Sequence, residues 1–325
     1  MLNVVTLPTQ FLKLITLNNI SEFKEDEGTF VTIGTFDGVH FGHQRILEKL
    51  VSDAKEAGKK TLLLTFFPHP RMVLQKDNSL ELINTIEERK TLLEKTGLDY
   101  LIIHPFSREF SRLTALAFVR DILVNQFHVS KLCIGYDHHF GKNREGNIDQ
   151  LREYQGLYDF EIEEIAAQDI DDVSVSSTKI RRALAEGNIA TANKYLGYHF
   201  MINGKVVNGK QLGGKIGFPT ANIDVEETYK LIPKTGVYVV KSMLGSKTVY
   251  GMMNIGKRPT VDGKHQTIEV HFFDFNQDLY NQNIRVELLY FLRDEHKFDS
   301  VDALISQLKK DEITARDFIA NSNLL

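Results

Sequence analysis

Tryptophan is absent from these 325 residues, cysteine occurs once and proline only seven times. A single cysteine excludes an internal disulfide framework and suits a reducing compartment; Cys133, inside the apolar run Lys131 to Ile134, reads as a small core residue. No stretch approaches the ~20 apolar residues of a membrane-spanning helix. The segment Met1 to Leu17 lacks the basic start, continuous apolar core and small-residue cleavage site of an export signal. A soluble, cytoplasmic protein is expected. Positive charge is not in excess either: 39 Lys and Arg face 43 Asp and Glu, a formal net charge of −4, which argues against nucleic acid or an anionic membrane as partner. Any phosphate this chain binds must be held by a local site. Linkers rich in Pro or Ser, low-complexity tracts and convincing internal repeats are also lacking. What remains, 42% hydrophobic and 25% charged, is a globular composition long enough for two cores, in domains expected to pack together.

The first half alternates short β-branched runs with helical patterns. Phe30 to Ile33, Thr61 to Phe66, Tyr100 to Ile103, Lys131 to Ile134 and Phe160 to Ile165 read as buried strands, with room for a helix between neighbours, so a doubly wound parallel sheet of the α/β class is expected. Helices are predicted over Gly42 to Ala57, where Ile46, Leu47, Leu50, Val51 and Ala54 share a face, over Ile86 to Lys95 and over Ala115 to Gln126. After about Ala183 the texture changes. Phe200 to Val207, Gly236 to Met243, Thr248 to Ile255, Thr267 to Phe275 and Ile284 to Phe291 are strand-like and separated by turns, which predicts an antiparallel barrel or sandwich. Ser300 caps a terminal helix carrying Val301, Leu304, Ile305 and Leu308. The domains are placed at 1–183 and 184–325.

Gly34-Thr35-Phe36-Asp37-Gly38-Val39-His40-Phe41-Gly42-His43 lies between the first strong strand and the first strong helix. A helix start at the carboxyl end of a strand gathers free N–H groups and the positive end of the helix dipole, an anion site ready for phosphate. Gly38 and Gly42 admit close backbone approach, and His40 and His43 could stabilise charge growing on a phosphoryl group. Taken alone, two histidines three apart are also compatible with a metal pair or with packing. Ser176-Ser177-Thr178-Lys179-Ile180-Arg181-Arg182 offers hydroxyl caps and three cations at another helix start, suited to a triphosphate or simply a capped basic helix. Gly135-Tyr136-Asp137-His138-His139-Phe140-Gly141 follows a strand at its carboxyl end, with the adjacent His138 and His139 read as loop residues. His40-Phe41-Gly42-His43 resembles the HxGH signature of nucleotidyltransferases, and Val175 to Arg181 resembles its ISSTxIR partner with Val175 for the usual Ile. Together with Thr65-Phe66-Phe67-Pro68-His69-Pro70 and the Gly135 to Gly141 loop, the pattern resembles the FMN adenylyltransferase module of bacterial FAD synthetases. The resemblance implies that Gly34, Phe36, Asp37, His40, His43, Asp137, Ser177, Thr178 and Arg181 handle ATP, with His40 and His43 catalytic, and that Pro68, His69 and Pro70 border the flavin.

Gly209-Lys210-Gln211-Leu212-Gly213-Gly214-Lys215-Ile216 almost spells a P-loop but fails at Ile216, where Mg²⁺ would need Ser or Thr, and in its surroundings of strand and turn. Next comes Gly217-Phe218-Pro219-Thr220-Ala221-Asn222. Thr220 and Asn222 share a face if extended and offer uncharged oxygens for a hard Mg²⁺ beside ATP phosphates. Glu269 has the chemistry of a general base, although such a strand carboxylate is equally an ordinary exposed one. This stretch resembles the GFPTAN motif of riboflavin kinases, a β-barrel family, and the resemblance continues through Asn254 to Thr260, Glu269-Val270-His271 and Leu292-Arg293 to Phe298. It implies a kinase site with ATP on Gly209, Gly217, Pro219, Thr220 and Asn222, Mg²⁺ on Thr220 and Asn222, flavin against Arg293 and Phe298, and Glu269 as the base. Two departures stand out: Asn281 where the family usually has Gly, and Gly214 with Lys215 where it often has Arg.

The resemblance covers about Gly34 to Asp311, with the motifs in family order. It implies a bifunctional enzyme that phosphorylates riboflavin to FMN and adenylylates FMN to FAD, with riboflavin, FMN, FAD and ATP as its small-molecule partners. Self-association is left open. A flavin-binding regulator that has lost the chemistry would have no use for the full set of His40, His43, Thr220, Asn222 and Glu269; a one-activity enzyme with a degenerate kinase half has only Asn281 in its favour.

Overall fold

The computed structural model describes residues 13–75, 79–135, 139–165, 175–209, 212–260 and 263–322. Backbone contacts divide it into two compact units, Met1–Val175 and Ser176–Leu325. The first contains β1 (Ile15–Leu17), β2 (Thr29–Ile33), α1 (Phe41–Glu56), β3 (Lys60–Phe66), α2 (Pro70–Leu74), α3 (Ile86–Leu93), β4 (Tyr100–His104), α4 (Ala115–Ala117), β5 (Val129–Gly135), α5 (Ile148–Tyr158) and β6 (Glu161–Ile165). Its strands form one parallel sheet in the order β1-β4-β3-β2-β5-β6. Both faces are covered, which explains the near-continuous apolar strands. Leu62 and Leu64 of β3 pack with Val31, Phe118 and Phe127, while Leu63 packs on the other side with Phe30, Leu47 and Leu50.

The chain winds outward from β2 through β3 to β4, then crosses to β5 on the other side. The carboxyl end of β2 is therefore the topological switch point, where open parallel sheets bind ligands. The five expected strands are present within a residue or two; β1, with three residues, was too short for its pattern to be read. The helix expected over Ala115 to Gln126 is instead one α turn, α4, running into a π-helical segment, Phe118–Val124, whose wider winding buries Phe118, Val119, Ile122 and Leu123 together.

The second unit begins with α6 (Ser177–Glu186) and α7 (Ile189–Leu196). Then follow β7 (Met201–Val207), α8 (Leu212–Lys215), β8 (Ala221–Asp224), β9 (Gly236–Leu244), β10 (Lys247–Thr260), β11 (Gly263–Phe272), β12 (Asn283–Arg293) and α9 (Val301–Asn321). The strands close an antiparallel barrel, β10-β11-β8-β7-β12-β9. Asn193 ties α7 to it: its Nδ2 donates to Leu288 O at 2.9 Å, and its Oδ1 accepts from Phe200 N–H at 2.7 Å. Alternation sets the two sides of the strands. Tyr238, Val240, Met253, Ile255, Ile268 and Val270 fill the barrel, while Val237, Val239, Met252 and Leu289 lie outside beneath Ala315 and Ile319 of α9. Ser300 caps α9 as its sequence position requires, accepting from Ala303 N–H at 3.1 Å. Among the described residues no helix is long and apolar enough to cross a membrane.

Candidate active sites

The turn from β2 into α1 is built from backbone that most residues avoid. Phe36 (φ 46°), Gly38 (φ 89°) and Val39 (φ 35°) are left-handed, and for a β-branched valine this is a genuine outlier. Phe36 and Val39 are nonetheless sunk in the core under α1. Gln44 Nε2 donates to Val39 O at 2.8 Å, and Thr65 Oγ1 to Thr35 O at 3.1 Å, so the turn is fastened at both ends.

His40 is the N-cap of α1: its Nδ1 accepts from His43 N–H at 3.3 Å. A neutral His40 must then carry its proton on Nε2. Its ring stacks on that of His43, 3.6 Å between centroids and 13° apart, and Phe36 stacks on the other face of His43 at 4.5 Å. Although part of His43 reaches the surface, its Nδ1 is buried and meets no hydrogen-bond partner. Burial above all, then the nearby His40 and Arg89, hold the His43 imidazole well below its usual range. It is a neutral ring at a helix start, suited to donate to an anion rather than to pair with one as a cation. Among the described residues no group of three or more His, Cys, Asp and Glu is placed to hold a metal ion.

Asp37 is fully buried. Its carboxylate accepts from Ile83 N–H at 3.1 Å and Asn84 N–H at 3.3 Å, and Arg89 Nη2 lies 3.5 Å away. At the carboxyl end of β3, Pro68 is exposed and His69 caps α2 by accepting from Arg71 N–H at 3.1 Å. Beside it Phe66 meets Phe106 at 5.5 Å and Phe110 at 5.4 Å, and His104 meets Phe110 at 4.7 Å. This aromatic wall could stack a planar ring. It was missed in the sequence because its members come from β3, β4 and the loop after β4. Asp137 lies outside the described residues. Ser177, Thr178 and Arg181 stand on α6, capped by Ser176, whose Oγ accepts from Lys179 N–H at 3.3 Å; by contacts α6 belongs to the second unit.

In the barrel, register makes the site. Asn254 of β10 faces Glu269 of β11, which faces Asn222 of β8. The three side chains form a row on the outer side of the strands, one step along from the Met252 and His271 pair. Thr220, two residues before Asn222, donates from Oγ1 to Glu269 Oε2 at 3.4 Å. A Cβ on Gly209 would lie 2.1 Å from Asn222 Nδ2, so glycine lets the chain pass over that amide where it stands, and any larger residue would push it aside. Gly217 turns the chain with φ 85°. Pro219 is held by its carbonyl, which accepts from His271 Nδ1 at 2.8 Å, and the His271 ring rests edge-on to Phe218 at 5.2 Å. Among its described residues the near-P-loop holds α8, a single turn.

Arg293 is heavily engaged. Its Nε and Nη2 clamp the buried Asp311 of α9 at 2.7 to 3.0 Å, its Nη1 donates to Asp294 O at 2.9 Å, and its guanidinium lies 5.9 Å from the Phe298 ring. It fixes α9 and the Phe298 segment to β12. The residue found in place of the family glycine, Asn281, has φ 62°, a conformation Asn adopts more readily than other non-glycine residues.

Two family models match the chain, one described as FAD synthetase over residues 22–179 and one as riboflavin kinase over 196–319. Among curated proteins, the bifunctional riboflavin kinase/FMN adenylyltransferase of Escherichia coli K12 is 39% identical over 309 residues, 94% of this chain and 98% of that protein. The proteins of the same description from Haemophilus influenzae and Listeria monocytogenes are 39% and 38% identical, covering 90% and 91% of this chain and 94% of each relative. A solved structure described as a macrolide-efflux protein from Streptococcus pneumoniae superposes with a TM-score of 0.86 at 32% identity, over 94% of this chain and 99% of that one.

Proposed function

The chain belongs to the bifunctional riboflavin kinase/FMN adenylyltransferase family and makes FMN from riboflavin and FAD from FMN, both with ATP, and we propose that each reaction is carried by one of the two constellations described above. The observation that carries this reading is that each constellation falls inside its own family match: His40 and His43 in the first, Thr220, Asn222 and Glu269 in the second. The functional division proposed is adenylyltransferase over 1–183 and kinase over 184–325. It is supported by matches that end at 179 and begin at 196; by contacts alone, α6 travels with the barrel.

In the kinase, Glu269 takes the proton of the ribityl 5′-hydroxyl as that oxygen attacks the γ-phosphorus of ATP, and ADP leaves. Thr220 and Asn222 fit a Mg²⁺ brought with ATP: both offer neutral hard oxygens on the side of the strand that carries Glu269, and Gly209 packs its bare Cα against the Asn222 amide. Bound there, the ion would neutralise phosphate charge. Gly217 and Pro219 shape the turn that presents Thr220, and Arg293 fixes Phe298 against the flavin. In the adenylyltransferase, an oxygen of the FMN phosphate attacks the α-phosphorus of a second ATP and pyrophosphate leaves. His40, through Nε2–H, and His43 donate to the charge that develops; no base is required, because the attacking phosphate is already an anion. Gly34, Phe36 and Asp37 shape the turn, Ser177, Thr178 and Arg181 serve the phosphates, Asp137 the nucleoside, and Pro68, His69 and Pro70 border the flavin. Incubating purified protein with ATP and Mg²⁺ plus riboflavin or, separately, FMN and separating products by chromatography tests the reading: riboflavin should yield FMN and FAD, FMN should yield FAD, and failure of either step overturns the assignment of its site.

A further inference from the structure

Arg89 is among the largest fully buried side chains of the protein, and its partner Asp37 is as deeply buried. A guanidinium and a carboxylate are rarely taken so far from water unless they are paired, and taking them there is costly. We propose that Arg89 is a positioning residue of the adenylyltransferase site, whose guanidinium, acting through Asp37, fixes the turn from Gly34 to His43 in the conformation that presents His40 and His43 to the reacting phosphates. The inference rests on the assignment of FAD formation to that turn.

Asp37 sits between Phe36 and Gly38 in a stretch where three of four residues, Phe36 to Val39, hold left-handed backbone. Such conformations persist only where the surroundings impose them. The surroundings here are the start of α3. Its capping box is complete and buried, Thr85 Oγ1 accepting from Glu88 N–H at 3.1 Å and Glu88 Oε2 from Thr85 N–H at 3.0 Å. The N–H groups of Ile83 and Asn84 just before it, and Arg89 one turn on, all point to the Asp37 carboxylate. A rigid helix start thus grips the middle of the strained turn, and the far end of that turn is the His40 cap. The positive charge of Arg89 also reaches His43, where with burial and His40 it opposes protonation of the ring.

The test compares Arg89→Met, Arg89→Lys and the double variant Asp37→Asn/Arg89→Met, with riboflavin phosphorylation by the same protein as the control for folding. Expected for Arg89→Met is unchanged FMN formation, a kcat for FAD formation lowered about a hundredfold, and KM values for ATP and FMN within about threefold. Arg89→Lys keeps the charge but not the fork and should regain roughly tenfold of the loss. The double variant removes both charges of the pair, so its thermal midpoint should return toward the native value while FAD formation stays slow. If Arg89→Met makes FAD at the native rate, or the double variant recovers rate as well as stability, the pair only balances buried charge and the proposal is overturned. Should Arg89→Met fail to fold, the lysine and double variants decide the same question. His43→Ala in the same assay keeps the two ideas apart: native FAD formation by that variant means the site assignment has failed, whatever Arg89 does.

Discussion

The side chains proposed to react in the first unit hang from one ten-residue turn, whereas those proposed in the second are gathered around three strands whose register sets Asn254, Glu269 and Asn222 in a row. One site is thus a matter of backbone conformation, gripped by buried charge; the other is a matter of strand pairing, with the barrel core supplying the order. The two are therefore vulnerable in different places. In the barrel, changing a side chain should remove chemistry and leave the scaffold intact. In the turn, a change far along the sequence can misplace histidines that it never touches.

The comparison is sharpened first by Glu269→Gln. It keeps shape but cannot take a proton, and FMN formation should fall a hundred- to ten-thousandfold, roughly 3 to 5 kcal/mol, with riboflavin affinity within about tenfold. FAD synthesis from added FMN should continue; steady-state assays of both reactions check this, and normal phosphorylation would move the base elsewhere, His271 being the neighbour on the same side. Next in size is His43→Ala. Removing one preorganised donor costs about 3 kcal/mol, about a hundredfold in FAD formation, with FMN formation untouched. A smaller effect is expected of Gly209→Ala. Its Cβ would meet only the end of the Asn222 side chain, so the amide should swing aside while the fold holds, raising the kinase KM for ATP roughly tenfold, about 1.4 kcal/mol. The smallest concerns Asn281. Asn281→Gly should alter stability to urea by under about 0.5 kcal/mol, whereas Asn281→Val should cost ~1 to 2 kcal/mol, because a β-branched residue resists φ 62°.

The contrast also accounts for what could be read before folding. The turn was legible because its residues are contiguous: Gly34 to His43 lie together in the sequence as they do in space. Glu269, Thr220 and Asn222 could be named from their motifs, but the place of Asn254 opposite Glu269 needs the β10 to β11 register, which the sequence leaves unspecified. Arg89 was illegible for a related reason. In sequence it is one more cation in Glu87-Glu88-Arg89-Lys90, an ordinary helix surface; only the fold brings it to Asp37, 52 residues away. Short pieces escaped as well: four-residue β8 is half polar, and α7 follows α6 after only two residues, so neither stands out as a period of its own.

If the two reactions run at two separate sites, proteins that each lack one of them should complement each other when mixed. Purified Glu269→Gln and His43→Ala proteins are each given riboflavin, ATP and Mg²⁺, alone and then together, and FAD is followed by chromatography. Expected are little or no FAD from the first alone, FMN without FAD from the second alone, and FAD from the mixture, as FMN made by one protein is adenylylated by the other. A mixture that forms no FAD, a Glu269→Gln protein that makes no FAD even from added FMN, or a His43→Ala protein that makes no FMN would contradict the two-site assignment.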